Sequence, residues 1–274
     1  MRPVIAALER ALDREASTRP AALLRIGLAG MTLVRFAEHL TFRDDTDLFR
    51  LAVLVAFWLG ATAMLFGWHA QAASALTAIA VAAGAARLAT EQNGWNHHHV
   101  YLLAVAIACV AITPCGRSYS LDRWRALARA ERIGAPPPPE RGLVWAQYLI
   151  AVQLTAVYLW GAIDKCNTGW LTGDKLQAQL LFYIFDSDPP DLPGWGALMA
   201  ALAIGTVALE LSLAVGLWFR RARRWLIPAG VAFHITIYVS LPVTVFSALS
   251  CLLYLAYFDP DEVHAAIDRM SGSG

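Results

Sequence analysis

Apolar residues run along this chain in long unbroken blocks. They show neither the alternation of a half-buried strand nor the narrow stripe of a soluble helix. Segments 51–68, 70–86, 100–116 and 142–163 carry no charged side chain. Segment 193–219 carries one, Glu210, and 225–258 is interrupted only by His234. A helix needs about 20 apolar residues to cross the hydrocarbon core of a bilayer. The last block is too long for one crossing, and Pro242 divides it into two short helices. A weaker segment follows the N-terminal region, reading IGLAGMTLV between Arg25 and Arg35. The pattern therefore predicts an all-α integral membrane protein of about eight spans. These lie near 21–40, 49–68, 70–89, 98–115, 143–165, 194–219, 224–241 and 243–258.

The segments between the spans predict the topology. Residues 1–20 are too charged for a cleavable signal, and Val4, Ile5, Leu8 and Leu12 recur at the spacing of an amphipathic surface helix. Lys and Arg accumulate on the cytoplasmic side of short loops. With eight spans, Arg2, Arg10, Arg14 and Arg19 share a side with Arg117, Arg123, Arg125, Arg129, Arg132 and Arg141, and with Arg220, Arg221, Arg223 and Arg224. The other side holds Arg43, Arg50, Lys165 and Lys175. Both termini are then expected in the cytoplasm. Loop 117–142, with its APPPPE run, is expected to be a stiff polyproline connector, and 261–274 a short tail.

Composition agrees with this picture. The 274 residues are 58% hydrophobic and 16% charged, well below the roughly one-quarter charge of a soluble domain. A net charge of +1 without a basic-aromatic patch gives no reason to expect a nucleic-acid partner. The four cysteines, Cys109, Cys115, Cys166 and Cys251, form no CxxC pair, so neither a zinc site nor a disulfide framework is indicated.

Ionisable groups inside spans are costly and mark candidate sites. Arg25, Arg35, Arg87, Glu210 and His234 have structural alternatives. Arg87 could snorkel from a helix end. Glu210 could pair with Arg25 or Arg35 and lock helices together. His234 could hydrogen-bond across helices. The run WNHHH, from Trp95 to His99, opens the fourth span. Successive helical residues turn by about 100°, so three adjacent histidines cannot all face one ion, and no metal is expected. Lys165 is the sharper signal. It closes the fifth span on the side poor in positive charge, just before Gly169-Trp170. A partly desolvated lysine gives up its proton more readily and can then act as a base.

Several motifs occur in order: WNHHHVYLLA, YSLDRW, YLWGAIDKCNTGWLTGD, a single Glu in the sixth span, and FHITIYVSLPVTVFS. Over roughly residues 21–260 the chain resembles the membrane part of the vitamin K-dependent γ-glutamyl carboxylase family, the horizontally transferred transmembrane (HTTM) domain. The resemblance implies a membrane enzyme that uses a reduced vitamin K (a menaquinol-type hydroquinone), oxygen and carbon dioxide on a peptide or protein glutamate. It implies that Lys165 is the base acting on the hydroquinone and that His98 assists on the glutamate side. Trp95, Asn96, His97 and His234 would line the site of the lipid quinone. His97 stands where animal members have an asparagine. The partners implied are the lipid bilayer, the quinone and a peptide or protein. The expected location is a bacterial inner membrane, with the site on the non-cytoplasmic face. A non-catalytic scaffold or accessory protein for peptide maturation or export, on the same fold, is the competing reading.

Overall fold

A computed structural model describes residues 9, 12–36, 47–91, 98–185, 192–241 and 244–272. Helices occupy all eight apolar segments. They are α1 (Arg19–Phe36), α2 (Leu48–Phe66), α3 (Ala70–Glu91) and α4 (His98–Ala111), then, after a short α5 (Leu121–Arg132), α6 (Trp145–Lys165). Two short helices, α7 (Thr168–Leu171) and α8 (Asp174–Leu180), precede α9 (Trp195–Gly216), α10 (Arg220–Ser240), α11 (Thr244–Leu253) and α12 (Pro260–Ser271). Among the described residues α2, α6 and α9 are long and apolar enough to cross a membrane, and two shorter apolar helices cover 99–111 and 245–257. The chain forms two compact units. Residues 1–151 with 258–274 make the first, and 152–257 make the second.

In the first unit the turn between α2 and α3 shows how local sequence sets the fold. Asp47 caps α2 by accepting from the Arg50 amide at 2.7 Å, and it also pairs with Arg87 at 2.8 Å. At the other end Gly67 takes φ +68°. Its amide donates to the Met64 carbonyl and that of Trp68 to the Ala63 carbonyl, closing the helix. Arg25, fully buried, reaches this end from α1. Its guanidinium donates to the carbonyls of Met64 at 2.6 Å, Leu65 at 3.3 Å and Tyr119 at 2.6 Å. A cation at the C-terminal carbonyls complements the helix dipole. Asp122 of α5 accepts from the amides of His69 and Ala70 at 2.9 and 2.7 Å, capping α3. The α2 and α3 helices approach closely because their facing residues are small: a Cβ on Gly60 would lie 2.9 Å from the Thr77 hydroxyl.

Loop 117–142 is more ordered than a polyproline connector. It holds the amphipathic helix α5, capped by Ser120 through the Arg123 amide at 2.8 Å. Beyond the prolines, β2 (Arg141–Leu143) pairs antiparallel with β1 (Glu15–Ser17). The register puts Gly142 against Pro114, where a Cβ would come within 2.7 Å of the ring. The C-terminal tail is likewise a helix, α12, capped by Asp259 with Pro260 in its first turn. It latches onto the same corner. Arg14 pairs with Asp259 at 2.5 Å, Arg19 with Glu140 at 2.8 Å and Asp268 at 2.5 Å, and Arg141 with Asp261 at 2.9 Å. Within residues 1–20, Glu9 and Leu12 are helical, 15–17 form strand β1 and Arg19 opens α1; residues 1–8, 10 and 11, with Val4, Ile5 and Leu8 of the expected amphipathic helix, lie outside the described residues.

In the second unit Ala162, Trp170, Ala203 and Val207 form a buried cluster, with Leu176 against it. The 225–258 block is split as expected, into α10 and α11 on either side of position 242.

Candidate functional site

The polar groups of the second unit gather along α6. Tyr158 and Lys165 are seven residues apart and so share a face, about 10.5 Å apart along the axis at 1.5 Å per residue. Lys165 is the last residue of α6. Asn167 ends the helix by capping α7 through the Trp170 amide at 3.1 Å. Gly173, at φ +88°, then turns the chain into α8. A Cβ there would lie 2.5 Å from the backbone of Met199 and Ala200, so only glycine lets this corner close on α9. Trp170 is fixed to α9 by its indole N–H, which donates to the Ala203 carbonyl at 3.2 Å.

This corner holds Lys165 in place. Its Nζ donates to both carboxylate oxygens of Glu210, at 2.9 and 3.0 Å, and to the Gly161 carbonyl at 3.1 Å. It also lies 5.4 Å from the centroid of the Trp170 ring, within cation–π range. The Lys165 side chain is 22% exposed and that of Glu210 only 9%. Gly161 faces the pair at contact distance: a Cβ there would sit 3.4 Å from Glu210 Oε2 and 3.5 Å from Lys165 Nζ. Removing two charges from water is expensive, and two charge-assisted bonds at one carboxylate offset that cost.

One helix-heptad away the Tyr158 hydroxyl joins His234 Nε2 at 2.6 Å and the Tyr254 hydroxyl at 2.7 Å. Tyr158, His234 and Tyr254 are all buried. Gly230 admits the Tyr254 hydroxyl, which would lie 2.2 Å from a Cβ at that position. Among the described residues His234 Nδ1 has no hydrogen-bond partner. A third link, Thr155, joins the Tyr257 hydroxyl and the Trp218 indole N–H, each at 2.9 Å.

Of the residues singled out from sequence, Lys165 and His234 both fall in the second unit, each in its own hydrogen-bonded group. Trp95, Asn96 and His97 lie outside the described residues. His98 opens α4, and its side chain lies outside them too. His99 is buried in the first unit. The expected pairing of Glu210 with Arg25 or Arg35 is corrected. Glu210 takes Lys165, because both project from facing turns at Gly161, while the Arg25 hydrogen bonds go to the backbone carbonyls of the α2 turn. Tyr158, Tyr254 and Gly161 escaped the sequence reading. The seven-residue spacing of Tyr158 and Lys165 was the available signal, and tyrosine in an apolar block looks like ordinary interfacial packing.

No curated protein and no solved structure matches the chain. The family described as the HTTM domain matches residues 46–261, most of its length. That match covers α2 through the start of α12, with all three helices of spanning length and apolarity. The chain is thus a membrane protein of the HTTM domain family, a family related to the vitamin K-dependent carboxylases.

Proposed function

We propose that this protein is a membrane enzyme that uses a reduced lipid quinone and oxygen to modify a peptide or protein, by glutamate carboxylation or a related reaction, with Lys165 as its base. The observation that carries the proposal is the Lys165–Glu210 pair, held within 3.0 Å at the end of α6 against the Trp170 ring. A hydroquinone needs an acceptor for its O–H and an apolar wall, and Lys165 with Glu210 and Trp170 offer both. When bound, it would supply the reducing equivalents for oxygen activation. Proton transfer from Lys165 Nζ to Glu210 along the 2.9 Å hydrogen bond turns the ion pair into a neutral pair and removes two charges from a poorly solvated place. The amine is then left with a lone pair that can take a phenolic proton. Trp170 limits water at the amine, and its anchor on Ala203 keeps that wall in place. The Tyr158–His234–Tyr254 group supports the same α6 face from within. The family resemblance assigns Trp95, Asn96 and His97 to quinone binding and His98 to the peptide glutamate, and this reading keeps those roles. The arginine distribution favours eight crossings, cytoplasmic termini and a non-cytoplasmic site in a bacterial inner membrane.

One observation favours a second reading, the scaffold. All three N–H bonds of Lys165 are already used, as in an ion pair that only ties α6 to α9. The test is epoxide formation from vitamin K hydroquinone by protein in nanodiscs under oxygen, with and without a glutamate peptide and labelled carbon dioxide. The enzyme reading expects epoxide from wild type and none from Lys165→Ala, with label entering the peptide. No epoxide from folded, quinol-bound wild type would leave the scaffold.

A further inference from the structure

The first unit carries a groove of about 950 Å³, separate from the Lys165 and Tyr158 groups. It lies where α3 begins, where α4 has ended and just ahead of α6, so it sits at the ends of apolar helices. Its lining joins Ile112, Leu143 and Trp145 to Arg117, Arg123 and His69. The size is that of a small-molecule site, commonly about 300–1,000 Å³. We propose that this groove binds the head group and glycerol region of an anionic phospholipid.

The placement of the charges, in the groove and on the helix beside it, decides the class of ligand. Two carboxylates line it: Asp122, whose oxygens both accept backbone amides at the start of α3, and the exposed Glu15 on β1, so the anion is drawn to Arg117 and to the arginines of α5 and not by a net charge of the lining. Arg123 is shared with Glu140, 3.5 Å away. Arg117 is exposed and donates to the Arg141 carbonyl. Among the described residues it has no carboxylate partner, so its charge is free for an anion. Ile112 and Leu143 are half-exposed beside it, an apolar pair against which glycerol esters can lie. A phosphate and an apolar body side by side are what a phospholipid presents, whereas a free anion would leave the apolar wall wet.

The outer wall points the same way. Helix α5 bears Arg125, Arg129 and Arg132, all exposed, and Trp124 is 66% exposed and Ile133 72%. Indole and arginine on one short amphipathic helix is the pattern of a segment lying in the interface of an anionic leaflet. The floor is already set. Asp122 pins the His69 turn, and Gly142 lies against Pro114.

The test is lipid retention, read by native mass spectrometry of protein released from nanodiscs of equal phosphatidylcholine and phosphatidylglycerol. Wild type should retain phosphatidylglycerol in preference. Arg117→Gln should lower that preference about fivefold, the effect of roughly one arginine at an anionic surface. Arg117→Lys should keep it. Ala72→Trp, which fills the groove without changing charge, should lower retention even if Arg117→Gln fails to fold. Equal retention of the two lipids by wild type would overturn the proposal. So would an unchanged ratio in Arg117→Gln and Ala72→Trp, or glycerol phosphate binding in detergent as tightly as the whole lipid.

Discussion

Three glycines separate the cost of a left-handed backbone from the cost of lost space. Gly30 lies inside α1 with nothing within 4 Å of the place a Cβ would take, and its φ is ordinary. Alanine there should stabilise the helix by about 0.5–1 kcal/mol, because glycine is the poorer helix former. Gly134 is at φ +64° with open space around it, so alanine should cost about 1–2 kcal/mol through the backbone alone. Gly67 is at φ +68°, and a Cβ would lie 2.3 Å from Arg25 Nη1 and 2.4 Å from Ser120 Cβ. Here the backbone cost adds to the loss of the short charge-assisted hydrogen bond from Arg25 Nη1 to the Met64 carbonyl, about 1.5–3 kcal/mol, for a total of about 2.5–5 kcal/mol. At about 2–4 °C per kcal/mol, Gly67→Ala should melt about 10 °C below wild type. A thiol-reactive dye reads this unit directly, since Cys109 and Cys115 are buried in it. Replacing the exposed Cys166 and the half-buried Cys251 by serine removes the background of the second unit. If Gly67→Ala melts with Gly134→Ala, Arg25 does not hold the α2 turn and the account of this corner is wrong.

Lys165→Ala alone should destabilise the second unit by about 3–5 kcal/mol, because Glu210 is left charged and buried, whereas Lys165→Met with Glu210→Leu should recover most of the loss. Melting of the two variants compared with single Glu210→Leu checks this; equal losses would mean the pair is not coupled. Tyr158→Phe strands two polar atoms, on His234 and Tyr254, and should cost about 2–4 kcal/mol. Gly230→Ala pushes on the Tyr254 hydroxyl and should be non-additive with it in a double-mutant cycle. The α12 latch should be acid-sensitive. The hydrogen bond from the Arg19 guanidinium holds the Asp268 carboxyl below its ordinary range. A lowered folded value means its contribution is complete above about pH 4, the ordinary aspartate value, and fades as pH falls through the folded one. Pepsin cleavage of α12 should therefore be slow near pH 4.5 and rise below about pH 4 in wild type. In Arg19→Met it should be fast at both.

The apolar blocks were legible because the rule behind them is local. Every backbone polar group in a bilayer must be satisfied within its own segment, so long uncharged runs become helices. The break near Pro242 followed from the same reasoning, since proline removes a helix hydrogen bond. Helix α5 and the β1–β2 ribbon were not legible. Their arginines and prolines read as solvated loop. The ribbon corner is held by Asp259, Asp261 and Asp268, more than a hundred residues from the arginines they pair with, and α5 is held through Asp122 to the His69 turn, about fifty residues away. Local patterning carries no information on contacts of that separation.

The same division runs through the candidate site. Lys165 stood out from sequence alone, because a lysine closing an apolar segment needs an explanation wherever it folds. Its partner could not be read there. Three buried or half-buried cations competed for Glu210, and helix faces, set by packing, chose among them. Lys165 meets Glu210 beside the Gly161 carbonyl, to which it also donates, while Arg25 is consumed by the carbonyls of another unit's turn. Sequence determined which charges the membrane segments must carry. Tertiary structure decided which of them meet, because an ion pair depends on two side chains reaching one point, and that point exists only once the helices have packed.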